Sequence, residues 1–171
     1  PAMACAPQSD IFLGSQSPDF VGTEIILFAP LFEWPALITA FNSSFAMGQQ
    51  TSVSCGLDSI PDVPLILIGL GDQPLLSCVE LQNLLAIHEK ADPERISIPF
   101  NGKVRGNPIL VPGKFRKRLL EDQKTPGCRT FTRNYPEYVQ FHKLNCPGFY
   151  ADVDTPDAYA TLKSTLSEEK H

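Results

Sequence analysis

Not one lysine or arginine occurs in residues 1–89 of this 171-residue chain, although nine acidic residues do. All 14 basic residues lie from Lys90 onward, against ten acids, so the two parts carry −9 and +4. An acidic half of that size repels a nucleic-acid backbone. The basic half is too mildly charged to argue for nucleic acid as a partner. Any bound phosphate must therefore draw its contacts from the second half, from backbone N–H groups or from a metal.

Other absences narrow the reading. No apolar run approaches the ~18–20 residues that span a bilayer; the longest, Ile25–Phe32, is broken at Pro30. The first residues show neither a basic start nor an apolar stretch of the signal-peptide kind. A soluble, cytoplasmic protein without a membrane partner is the expectation. The five cysteines, at 5, 55, 78, 128 and 146, include no CxxC or CxxxC pair. That argues against a zinc knuckle or a redox motif and for reduced thiols. No GxSxG, HExxH or strand-linked GxGxxG is present, which removes the motifs of several enzyme classes. Cys55 has no histidine near it in sequence to support a nucleophile. His88 and His142 stand at neither metal nor triad spacing, and read as core-edge and surface residues.

What remains is a globular composition, 43% hydrophobic and 19% charged, at the length of one domain, residues 1–171. Residues 1–20 have little pattern and read as a loosely ordered arm. Glu24–Ala29 is a β-branched apolar run expected to form a buried strand. Leu31–Phe41, split by Pro35, fits a helix or a strand. Asn42–Gln50 is loop-like, and Thr51–Ile60 reads as a helix with Thr51 or Ser52 near its N-cap. Leu65–Leu70 (LILIGL) is uninterrupted and apolar, as a strand buried on both faces requires. Ser77 then caps a helix, Val79–Lys90, with Leu81, Leu84, Leu85 and His88 on one face.

Ile96–Phe100 and Ile109–Val111 read as strands, with Asn101-Gly102 as a turn signal between them. Pro112 suits the first turn of a helix to about Glu121. A short helix over Thr125–Asn134, a strand over Tyr138–Leu144 and a last strand over Phe149–Val153 follow. Thr155-Pro156-Asp157 reads as the start of a terminal helix through Leu166. Strands alternating with helices predict an α/β three-layer sandwich around a mostly parallel sheet.

Chemistry concentrates at the predicted strand ends. Asp72 directly follows a buried strand, so it sits at the carboxyl edge, where open α/β sheets bind ligands. Gly69 and Gly71 permit close approach of a ligand to the backbone. Asp152 and Asp154 end another predicted strand at the same edge. Carboxylates converging from two strand ends suit a hard cation such as Mg²⁺. The bland alternative for each acid is turn or helix capping. Gly48–Leu57 brings Thr51, Ser52 and Ser54 into a loop-to-helix entry that could grip a nucleotide, or could simply be a surface cap. Arg105-Gly106-Asn107-Pro108 offers an exposed guanidinium and an amide for an anion or a pterin edge. Lys114–Arg118 is basic and reads as a solvated helix face.

Together, Gly71-Asp72-Gln73-Pro74, Arg105-Gly106-Asn107-Pro108, Gly127-Cys128-Arg129 and Asp152-Val153-Asp154-Thr155-Pro156-Asp157 resemble the MobA/MocA-like nucleotidyltransferases. The molybdenum cofactor cytidylyltransferase type is the nearest match, over residues 42–166. The resemblance implies a Rossmann-like domain of the nucleotide-diphospho-sugar-transferase type. Its activity would be transfer of a nucleoside monophosphate from CTP or GTP to molybdopterin, with release of pyrophosphate. It implies Asp72 and Asp154 as catalytic carboxylates, with Asp72, Asp152 and Asp154 holding Mg²⁺. Thr51, Ser52, Ser54 and Gly71 would face the nucleotide. Arg105, Asn107, Pro108 and Arg129 would face the acceptor. Family members open with a strand and a Gly-rich loop of the type LAAGxSxRMG followed by Lys. This chain has no such segment, and Gly14-Ser15-Gln16-Ser17 is the nearest to it. The N-terminal part therefore reads as truncated or rearranged, with a partner chain or a second copy as one source of a phosphate loop. A non-catalytic nucleotide- or pterin-binding or interaction protein on the same fold is the alternative.

Overall fold

The computed structural model describes residues 10–14, 23–31, 34–121 and 128–168. Its seven strands are β1 (Asp10–Gly14), β2 (Thr23–Leu31), β3 (Trp34–Asn42), β4 (Leu65–Leu70), β5 (Ile96–Phe100), β6 (Ile109–Pro112) and β7 (Val139–Lys143). Among the described residues five α-helices accompany them: α1 (Gln49–Ser59), α2 (Cys78–Lys90), α3 (Arg116–Glu121), α4 (Cys128–Asn134) and α5 (Pro156–Glu168). The strands form one sheet in the order β3-β2-β1-β4-β6-β5-β7.

The α/β class holds, but the sheet is mixed rather than mostly parallel. The β1–β4 and β5–β7 pairs are parallel, and the other four pairings are antiparallel. The cause is chain length between strands. A parallel neighbour needs a crossover of about a dozen residues or more. Only residues 15–22 separate β1 from β2, and only 32–33 separate β2 from β3. Those links force antiparallel neighbours. Even so, β1, β3, β4, β5 and β7 run in one direction, with β2 and β6 against them. Their carboxyl ends lie along one edge of the sheet.

The apolar run of β4 occupies the middle position and is buried on both faces. Alternation divides it: Ile66 and Ile68 join a cluster with Leu57, Val111, Phe115, Leu119 and Phe131, while Leu67 joins one with Leu84, Leu110 and Phe149. Helices α1, α3 and α4 thus cover one face and α2 the other. Each fully buried Leu, Ile or Phe contributes about 1.5–3 kcal/mol of transfer free energy. Helix α2 begins on a capping box: Ser77 Oγ accepts from the Glu80 amide at 3.2 Å and the Ser77 amide donates to Glu80 Oε2 at 2.7 Å. The turn predicted at Asn101-Gly102 is present, with Gly102 at φ +94° and Asn101 Oδ1 accepting from the Lys103 and Val104 amides.

Two expectations are corrected and one open reading is decided. The backbone of Asp10–Gly14, read as part of an arm, is β1 and pairs with both β2 and β4. The ambiguous Leu31–Phe41 segment is mainly β3, because pairing with β2 over nine residues decides what propensity left open. No strand spans Phe149–Val153. Pro147–Phe149 is a 3₁₀ turn, and residues 151–154 follow as irregular chain anchored to other loops. The helix expected from Thr125 is seen from Cys128; Thr125–Gly127 lie outside the described residues.

Candidate functional site

The loops after β3, β4, β5 and β7 all open on the carboxyl edge, and backbone hydrogen bonds tie three of them together. The Phe149 carbonyl accepts from the Asn107 amide at 2.9 Å and from Gln73 Nε2 at 3.2 Å. The Asp72 carbonyl accepts from the Val153 amide at 2.9 Å. Asp72-Gln73, Gly106-Asn107 and Asp152-Val153-Asp154 therefore converge, although they are far apart in sequence. Glycine makes the approach possible: a Cβ on Gly106 would stand 2.7 Å from the Phe149 oxygen and 2.8 Å from a Tyr150 ring carbon. The Asn107–Pro108 peptide is cis.

Asp72 is half-buried, and its Oδ1 is enclosed with no hydrogen-bond partner among the described residues. Burial pushes its carboxyl above the ordinary range; its own amide pulls it back, and the charges of Asp154 and Asp152 push it further up. Those two acids are exposed. Thr155 Oγ1 accepts from the Ala158 amide at 3.2 Å and so caps α5, as its sequence position predicts. Among the described residues no three acidic, histidine or cysteine side chains are grouped closely enough to hold a metal ion together, Asp72, Asp152 and Asp154 included. Mg²⁺ seldom uses an all-protein cage; it takes one or two carboxylates together with substrate phosphates. An orphaned Asp72 oxygen, close enough to Asp154 and Asp152 to feel their charge, fits the use of one or two carboxylates.

The Gly48–Leu57 segment is differently employed from the nucleotide grip expected of it. Asn42 Nδ2 donates to Thr51 Oγ1 and to Ser52 Oγ, both at 2.9 Å, and Thr51 Oγ1 also donates to the carbonyls of Ser44 or Gly48. Ser52 and Asn42 are buried. These hydroxyls fasten the end of β3 to the start of α1. Ser54 is half-buried on the same helix, and Gly71 is exposed directly before Asp72.

On the far side of the converging loops, Arg105 is half-buried rather than free. Its Nη2 donates to Thr132 Oγ1 at 2.6 Å, and its guanidinium lies 5.5 Å from the centre of the Phe141 ring. Burial lowers its pKa, and the charges of Arg133 and Arg129 lower it again. Both neighbours lie exposed on α4, one turn apart. Burial pushes the Cys128 thiol up to about 12, so it stays a neutral thiol. The run 114–118 is not a plain solvated face. Lys114 pairs with Glu94, Arg116 bonds Asp62 and the Leu57 carbonyl, and Arg118 lies about 5 Å from the rings of Phe131, Tyr135 and Tyr138.

Sequence reasoning missed one polar centre. Ser97 Oγ, fully buried, meets His88 Nδ1 at 2.8 Å, His142 Nε2 at 2.9 Å and Gln140 Nε2 at 3.0 Å. The two histidines therefore share a partner. The available signal was Ser97 itself, a lone hydroxyl in an otherwise apolar strand.

No family model matches the chain, and no curated protein does. Among solved structures it is similar to Rv0371c from Mycobacterium tuberculosis H37Rv, with TM-score 0.55 and 20% identity, over 67% of this chain and 59% of that one. It is also similar to an Rv0371c homolog from Mycobacterium sp. strain JC1, with TM-score 0.53 and 21% identity, over 68% of this chain and 58% of that one. The likeness is one of fold, and the chain spans less than three-fifths of the length of either structure.

Proposed function

We propose that the chain is a nucleotidyltransferase-like protein that directs a nucleoside monophosphate from CTP or GTP onto a molybdopterin-like acceptor, releasing pyrophosphate. The observation that carries this reading is the backbone bond between Val153 and Asp72, which joins the segment bearing Asp152 and Asp154 to the one bearing the unpartnered Asp72 oxygen at the carboxyl edge of the sheet. Asp72, with Asp154 or Asp152 and the substrate phosphates, would hold Mg²⁺. When bound, Mg²⁺ supplies charge neutralisation on the phosphates and polarises the phosphorus under attack. The raised pKa of Asp72 is a cost in the metal-free protein that a cation relieves. Arg105, Asn107 and Arg129 would face the acceptor, with buried Pro108 behind them. An acceptor that is already a phosphate monoester needs no general base.

Pyrophosphate release from CTP and from GTP, with and without molybdopterin, tests the reading. Acceptor- and Mg²⁺-dependent release, lost in Asp72→Asn and Asp154→Asn, is the expected result. Absence of release from either nucleotide in every combination overturns it. A second reading is a nucleotide- or pterin-binding or interaction module without catalysis. Two observations favour it: the first 89 residues lack any cation for a triphosphate, and Thr51 and Ser52 are engaged with Asn42.

A further inference from the structure

Arg105 is bonded to Thr132, which stands between Arg129 and Arg133 on α4, so three arginines gather at this helix. None of them forms an ion pair among the described residues. Arg105 is also preorganised: Thr132 Oγ1 fixes one nitrogen, the Phe141 ring supports the guanidinium, and Thr132 in turn donates to the Cys128 carbonyl at 2.7 Å. Thr132 is buried, whereas Arg129 and Arg133 are exposed on α4. Clustered like charges repel, and an oxyanion relieves that repulsion while matching the planar fork of each guanidinium.

The geometry points to an oxyanion site formed by Arg105, Arg129 and Arg133 that takes the dianionic phosphate group of a phosphorylated small molecule. A phosphate suits it better than a carboxylate, because three cations balance two charges and its oxygens can meet more than one fork. Arg133 is the residue that neither the motifs nor the transferase reading supplies. Its place four residues after Arg129 puts both on one helix face. That the phosphate belongs to the acceptor rather than to the nucleotide rests on the transferase reading; the anion site itself does not.

Titration of the full chain with inorganic phosphate, and then with phenyl phosphate as a plain monoester, tests this at constant ionic strength. The readouts are calorimetry and arginine Nε–H resonances. Saturable binding is expected, with shifts at Arg105, Arg129 and Arg133. Arg133→Ala should weaken it at least about tenfold, as removal of a charged hydrogen-bonding partner does. Arg133→Lys should retain part of the affinity. Thermal unfolding of both variants should match wild type, since Arg133 is exposed. Asp72→Asn should bind phosphate normally. Binding that is absent, or unchanged in Arg133→Ala and Arg129→Ala, overturns the site. Displacement of phosphate by Mg²⁺-CTP overturns the assignment to the acceptor. Failure of the transferase reading looks different: phosphate binding persists while no nucleotide is turned over.

Discussion

The Val153 amide donates to the Asp72 carbonyl at 2.9 Å, so the two acidic segments are joined through backbone and not through their carboxylates. Replacing the Asp72 side chain therefore leaves the joint in place. Ionised Asp72 is disfavoured by burial and then by Asp154 and Asp152. A carboxyl whose folded pKa is raised contributes stability below its unfolded pKa and loses it as pH rises through the folded value. Asp72→Asn should consequently unfold at the same or a higher temperature than wild type at pH 7 in chelator, and the gain should vanish at pH 3. Added Mg²⁺ should stabilise wild type more than the variant. A marked loss of thermal stability in chelator would show that the side chain serves the fold.

Gly106 packs its backbone against the Phe149-Tyr150 segment, with no room for a Cβ. Ala at 106 needs the Phe149 carbonyl to move, and that carbonyl also holds Asn107 and Gln73. The expected cost is about 1–3 kcal/mol, the usual range for overpacking, measured by urea unfolding. Ala at exposed Gly102 meets nothing within 4 Å but must adopt φ +94°. Its cost, about 1–2 kcal/mol, is local backbone strain. The two differ in ligand binding: Gly106→Ala should impair it and Gly102→Ala should not.

The Ser97 hydroxyl has one hydrogen and two lone pairs. Gln140 donates to it, so one imidazole must donate and the other must accept. Two imidazolium rings would present three donors to two lone pairs. Burial lowers the pKa of both histidines, and the charge of His142 lowers that of His88 against weaker support from Glu89 and Asp92. The neutral rings belong to the folded state, so their contribution is complete above the unfolded histidine pKa of 6.5 and is lost as pH falls below it. Unfolding free energy should decline from pH 7 to pH 5, with a limiting slope of ~1.4 kcal/mol per pH unit for buried His88. His142→Gln should flatten the profile. A wild-type profile already flat across that range would refute the account.

Local signals in the chain were strong where one force dominates. Leu65–Leu70 is apolar throughout and became the central strand with those bounds. Ser77 and Glu80 stand at capping-box spacing, and Thr155 precedes a Pro and an Asp; both helix starts followed. Pairing partners were harder, because strand direction depends on link length and not on strand composition. The segment from Phe149 to Val153 has the residues of a strand, yet it spends its hydrogen bonds on Asp72, Gln73 and Asn107. The place of Asp72 after the central strand was legible, whereas Asp152 and Asp154 reach the same edge from an irregular segment and not from the strand end expected of them. The arginine cluster and the Ser97 centre were not legible, since each gathers residues from elements whose packing no local pattern encodes.

Transfer of a nucleotidyl group depends on positioned cations and amides that stabilise the charge developing at phosphorus, and each such donor is worth about 10²–10³ in rate. Residues 1–89 contribute no lysine or arginine. Arg105 and Arg129 are given to the acceptor in the transferase reading, and the hydroxyls of Thr51 and Ser52 are committed to Asn42. Besides Mg²⁺, the donors left to a triphosphate on this chain are second-half residues such as exposed Lys103. The chain alone should therefore bind nucleoside triphosphate weakly and turn it over far below the order of 1 s⁻¹ at which ordinary enzymes begin. A steady-state assay with CTP, GTP, Mg²⁺ and molybdopterin checks this. Turnover near 1 s⁻¹ by the chain alone would refute it and assign a phosphate cradle to residues before Asn42. A rate that climbs steeply with protein concentration, or on adding a second chain, is the expected signature of a cradle supplied in trans.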